Sequence, residues 1–64
     1  QIVNVDTSLG VVPVKLKRIG DTIAHAAPEY EVCKKIALET GLPIAEVMRI
    51  VVNEATMRGS PWGS

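Results

Sequence analysis

The feature that most constrains this chain is a change of hydrophobic period near its middle. From Ile2 to Ala27 the residues are rich in β-branched side chains and punctuated by glycines, whereas from Pro28 to Arg58 apolar residues recur at helical spacing. Within the first half, Ile2-Val3-Asn4-Val5-Asp6-Thr7 leads into a Ser8-Leu9-Gly10 turn. In Val11 to Ile19, Val12, Val14 and Leu16 then alternate with Pro13, Lys15 and Lys17, the period of a half-buried strand. Pro13 has no N–H to give to a ladder, which predicts an edge position or a bulge. Gly20-Asp21 supplies a second turn and Thr22 to Ala27 a short third strand. Three strands on tight turns form an antiparallel meander.

The second half predicts two helices. Pro28 suits an opening helical position because its φ is already fixed, and Glu29 and Glu31 then fall in a first turn, where the helix dipole favours negative charge. Tyr30, Cys33, Ile36 and Ala37 share a side with Val32 at its margin, while Lys34, Lys35 and Glu39 point away. Thr40-Gly41 ends this helix and Pro43 opens the next. Ile44, Val47, Met48, Val51 and Ala55 form its apolar stripe. Ile50 and Val52 lie outside the stripe, so the helix is apolar around most of its circumference and asks for cover on a second side.

Composition narrows the class. Sixty-four residues make one small domain, and a chain of that size buries only about 60% of the surface its unfolded form exposes. A hydrophobic fraction of 47% excludes intrinsic disorder, and the apolar runs are too short for a membrane-spanning helix. Seven Lys and Arg balance seven Asp and Glu, which argues against a dedicated nucleic-acid domain or attachment to anionic membranes. A single cysteine, Cys33, and a single histidine, His25, can build neither an internal disulfide nor a four-ligand zinc site. The cysteine usage points to a reducing cytoplasm. A core this small without staples leads us to expect an oligomer. No signal peptide is visible, and a first residue other than Met suggests a piece of a longer protein. We expect one domain over 1–58, with Gly59-Ser60-Pro61-Trp62-Gly63-Ser64 as a flexible end or an expression scar.

The segment Val14-Lys15-Leu16-Lys17, Gly20 and Ala27-Pro28-Glu29-Tyr30-Glu31-Val32-Cys33 resembles the C-terminal domain of the LarC family. The likeness continues through Ile36-Ala37, Glu39-Thr40-Gly41-Leu42-Pro43, Glu46-Val47 and Ala55, and so covers roughly Leu9 to Ala55. The A-P-E-Y-E-x-C segment followed by x-T-G-x-P is its specific part. Two departures stand out: the family's full pattern includes an N-terminal domain, and His25 replaces another polar residue. The resemblance implies that the complete protein is a CTP-dependent nickel-insertion enzyme, a cyclometallase. It would complete the nickel-pincer nucleotide cofactor of lactate racemase by inserting nickel into a pyridinium bisthiocarboxylate mononucleotide. Soft nickel is delivered by thiolate or imidazole, and this chain offers only Cys33 and His25. Its implied share is therefore assembly of a homo-oligomer, a trimer or hexamer, and part of the CTP site with its Mg or Mn. The N-terminal domain and a small molecule of the cofactor pathway are the other implied partners.

Each candidate residue carries two readings. Lys15, Lys17 and Arg18 on the second strand suit nucleotide phosphates, or they are a solvated face that keeps an edge from aggregating. No Gly-rich phosphate loop is present, so side chains and metal would hold a triphosphate. His25 and Glu29 are candidate metal ligands, and Glu31 with Glu29 could bind a divalent ion that accompanies a nucleotide; alternatively His25 is a surface histidine and Glu29 and Glu31 complement the helix dipole. Tyr30 either stacks on a base or belongs to the core. Cys33 reads as a small buried hydrophobe, and Met48 and Met57 as gap fillers. No nucleophile–base pair or paired catalytic carboxylates stand out, which argues against an independent small enzyme. The expected architecture is α+β: a three-stranded antiparallel meander followed by two helices on one face, a ferredoxin-like relative if another segment adds a fourth strand. A ligand-free oligomerisation or docking module of a larger enzyme is the alternative.

Overall fold

The computed structural model describes residues 1–58. The expectations for residues 59–64 and for the side chain of Met57 lie outside the described residues. Three strands, β1 (Ile2–Thr7), β2 (Gly10–Ile19) and β3 (Thr22–Pro28), precede two helices, α1 (Tyr30–Thr40) and α2 (Ile44–Arg58). The strands form one antiparallel sheet in the order β1-β2-β3. This is the α+β meander with two following helices that the change of period predicts.

Alternation on β2 decides which face is covered. Val12, Val14 and Leu16 are buried, together with Val5 of β1, and Cys33, Ile36, Val47, Val51 and Ala55 close over them from the helices. Lys15 and Lys17 fall on the opposite, outer face and are exposed. The outer face also holds Ile2, paired with Lys15, and His25, paired with Lys17. Ile44 and Met48 sit half-buried at the border of the core.

The β2–β3 turn uses Gly20, whose φ of +62° is the only positive φ between Ile19 and Thr22. A positive φ at the first of two turn residues is the type II′ pattern, whose twist matches that of the strands. On the other hairpin, the Thr7 hydroxyl donates to the Gly10 carbonyl at 2.6 Å and accepts the Leu9 N–H at 3.1 Å.

Several expected boundaries move, each for a local reason. Pro13 lies in the central strand, opposite Asn4, and the irregularity of the sheet falls at Lys17/Arg18 instead. Pro13 is nevertheless accommodated, because N–H and C=O of one strand residue point to the same side. Its carbonyl accepts the Glu29 N–H at 2.9 Å, so its missing N–H faces a position just past the end of β3. The ladder thus loses no bond there. Pro28 does not open α1; it ends β3 opposite Val14 and is buried. The bond to Pro13 holds Glu29 extended, at φ −67° and ψ 121°, and makes it the N-cap of α1. Likewise Pro43 stands just before α2, its carbonyl accepting the Glu46 and Val47 N–H groups. Tyr30 is not core. It is 51% exposed, because the first residue of α1 lies where the chain turns off the sheet, beyond the inner face that Cys33 covers.

Candidate functional site

The residues with chemistry gather on the outer face of the sheet. Strand pairing aligns Ile2, Lys15 and Ala27 in one row across β1, β2 and β3, and sets Lys17 beside His25 in the next. Two adjoining clefts follow. One, of about 280 Å³, is walled by Ile2, Pro13, Ala27 and Pro28, with Tyr30, Glu29 and Lys15 at its margins. The other, of about 400 Å³, runs between Lys15, Lys17 and His25, with Gln1, Leu16 and Ala27 beneath. Lys15 and Ala27 belong to both, so the clefts form one trough along β2 and β3.

The structure thus brings together Lys15, Lys17, His25, Tyr30 and Glu29 and leaves out Arg18. Arg18 pairs with Ile23, which packs against the core, and so stands on the helix side of the hairpin tip. The Glu29 carboxylate accepts the Val32 N–H at 3.2 Å, satisfying one of the open donors of α1. It therefore caps the helix as well as edging the trough. Pro13, Pro28, Ile2 and Ala27 were not singled out as site residues; the parity that puts Pro13 and Lys15 on one face was the available signal.

Elsewhere the polar chemistry is structural. Cys33 is fully buried. Burial, and then the Glu29 carboxylate, pushes its thiol above the ordinary value of 9.0, so it stays a protonated, inert hydrophobe as expected. Arg49 and Glu46 form an exposed pair one turn apart, with Arg49 Nε donating to Glu46 Oε1 at 3.1 Å. That bond holds the Glu46 carboxyl below its usual range. Among the described residues, no group of three or more His, Cys, Asp or Glu could hold a metal ion, and no helix is long and apolar enough to cross a membrane. A third cleft, of about 410 Å³, lies on the outward side of α2 between Met48, Arg49 and Val52.

The family described as nickel insertion protein matches residues 1–48. The chain belongs to that family. A pyridinium-3,5-bisthiocarboxylic acid mononucleotide nickel insertion protein of Thermotoga sp. (strain RQ2) is 49% identical over 47 residues, covering 73% of this chain and 12% of that protein. A putative nickel insertion protein of Geobacter sulfurreducens is 53% identical over 49 residues, covering 77% of this chain and 12% of its own length. One from Roseiflexus castenholzii is 49% identical over 51 residues, covering 80% and 13%. The chain therefore spans about an eighth of the length of the curated relatives it matches. No solved structure matches it. All the trough residues lie inside the stretch matched by the nickel insertion family, whereas Ile50, Val51 and Val52 lie beyond it.

Proposed function

We propose that this chain is a C-terminal domain of a nickel-inserting cyclometallase. The whole enzyme completes the nickel-pincer nucleotide cofactor of lactate racemase in the cytoplasm, with nickel and a pyridinium bisthiocarboxylate mononucleotide as substrates and CTP as a requirement. The observation that carries this reading is the family match over residues 1–48, with a relative named for that mononucleotide at 49% identity. The share of the domain is to hold CTP and to join copies of the chain and its N-terminal domain into a trimer or hexamer. Forming nickel–sulfur and nickel–carbon bonds falls to other parts of the enzyme, since the thiol of Cys33 is buried and protonated.

On this reading Lys15 and Lys17 meet phosphate oxygens as point charges, Arg18 adds positive potential from the hairpin tip, and Tyr30 takes the base. A Mg or Mn ion fits here as a companion of the triphosphate: such ions keep several waters and take one or two protein ligands besides phosphates. His25 and Glu29 line different clefts of the trough, so on this reading one or the other, and not both together, takes that outer role, and the ion's chemistry is charge neutralisation.

A second reading, a ligand-free oligomerisation module, is favoured by the half-buried Met48 and Val52 along the outward cleft of α2. Light-scattering mass combined with calorimetry of CTP plus Mn separates the two. Saturable CTP binding by a defined oligomer is the expected result; an oligomer giving no heat of binding favours the second reading, and a monomer that binds nothing overturns both.

A further inference from the structure

We propose that copies of this chain join head to tail, the tip of the β2–β3 hairpin of one copy seating in the outward cleft of α2 of the next. This rests on the reading that the domain joins copies of itself, and names the two surfaces that do so. The first is a hairpin that outruns its sheet. β1 begins at Ile2, opposite Lys15, and the Leu16 N–H donates to the Gln1 carbonyl at 2.8 Å. From Lys17 to Ile19, β2 has β3 on one side and no strand on the other. Those three residues reach about 10 Å along the strand. At their end stands Ile19, 68% exposed, between Arg18 and Asp21. Both of these side chains are exposed, and neither charge has a partner among the described residues.

The second surface is on α2. Ala45, Met48, Arg49, Val52, Asn53 and Thr56 line a cleft of about 410 Å³, and their spacing of three and four puts them on one face of the helix. Val47, Val51 and Ala55 are buried in the core on the other. The cleft therefore points away from the sheet, where the hairpin tip of its own chain cannot enter and that of a second copy can. Its apolar floor, the half-buried Met48 and Val52, suits Ile19. The charges match as well. Arg49 uses Nε and Nη2 on Glu46, one turn earlier, but a guanidinium carries five N–H donors, so its remaining nitrogen is left for Asp21 while Arg18 meets Glu46. Two opposite charges on each surface fix the direction in which the tip enters. Because tip and cleft are different patches, the contact is heterologous, and a suitable rotation closes it into a ring. Each copy then makes two contacts, which in a closed ring reinforce one another although each is small.

The test is sedimentation velocity of the wild-type chain, of Ile19→Ser, of Arg49→Glu and of the two variants mixed. Both side chains are exposed, and circular dichroism checks that each variant folds. Ile19→Ser spoils the tip and keeps the cleft; Arg49→Glu spoils the cleft, by setting a carboxylate against Asp21, and keeps the tip. Each alone should need about tenfold more protein to assemble, the effect of losing one buried aliphatic side chain or one matched charge. Mixed, the intact tip of Arg49→Glu enters the intact cleft of Ile19→Ser, and growth stops at a one-to-one dimer, which a two-fold symmetric contact could not give. Variants that assemble as the wild type does, or a mixture whose mass and amide spectrum are the sum of its parts, overturn these surfaces and leave assembly itself standing. A wild-type chain that stays monomeric overturns the reading that copies join.

Discussion

The carboxylate of Glu54, near the end of α2, grips Ser8 at the tip of the first hairpin: Oε1 accepts the Ser8 N–H at 2.8 Å and Oε2 accepts its hydroxyl. Forty-six residues separate the two in sequence. The contact therefore ties the far end of the last helix to the first turn, and fixes how α2 lies across the sheet.

Glu54→Ala should destabilise the domain by about 1 kcal/mol, the net value of a charge-assisted bond that water can partly replace. Ser8→Ala keeps the bond to the backbone and should cost less. Urea midpoints of the two variants check the order; equal midpoints would show that the serine hydroxyl, and not its N–H, carries the clasp.

Gly41 closes α1 in the left-handed conformation, at φ 80° and ψ 3°, and its N–H donates to the Ala37 carbonyl at 2.9 Å. A Cβ built there meets nothing within 4 Å, so the cost of Gly41→Ala is conformational alone. About 1 kcal/mol is expected, read as a lower thermal midpoint with an unchanged fold. Gly41→Asn should recover part of the loss, because Asn tolerates this region better than Ala.

These two contacts differ in how far the sequence foretold them. Gly41 after Thr40 reads as a helix stop from local chemistry alone, just as the alternation of Val12, Val14 and Leu16 fixes both the strand and its buried face. Lys15 and Lys17 follow from the same parity. The Ser8–Glu54 clasp is not local, and nothing in either segment names the other. Tyr30 failed for a related reason: periodicity places it on the Cys33 side of α1, but where that side runs off the sheet depends on Pro28 staying in β3. That in turn depends on a bond from Glu29 to Pro13, across the sheet. Parity also hides in irregularities, since the register shift falls between Lys17 and Arg18, inside a run of basic residues that carries no local sign of it.

Cys33 makes alkaline stability depend on a buried thiol. Its pKa is raised in the fold, first by burial and then by Glu29. A group with a raised folded-state pKa contributes stability that is complete below the unfolded-state value of 9.0 and is lost as pH rises through the folded-state value. The wild-type urea midpoint should therefore hold up to about pH 8 and fall above pH 9, while Cys33→Ala, less stable throughout because of the cavity it leaves, should show a flatter alkaline limb. A thiol reagent at pH 8 should label the native chain only as fast as it unfolds. Rapid native labelling would mean that Cys33 is reached without unfolding.

The apolar breadth of α2 divides into two parts that a charge can tell apart. Val51, part of the apolar stripe, is fully buried in the domain's own core. Val51→Glu places a carboxylate without a partner there, a cost of several kcal/mol that approaches the whole stability of so small a domain. Its circular dichroism and amide dispersion should show an unfolded chain. Ile50 is only half-buried, and a charge at its exposed edge can reach water. Ile50→Glu should therefore fold, with a thermal midpoint lowered by a few degrees, about the effect of 1 kcal/mol in a domain of this size. If α2 also joins copies of the chain, the same variant should fall to monomer mass by light scattering while the wild type stays assembled. A folded Ile50→Glu variant with wild-type oligomer mass would move the contact between copies to the sheet edges, where β1 and β3 each have one neighbour.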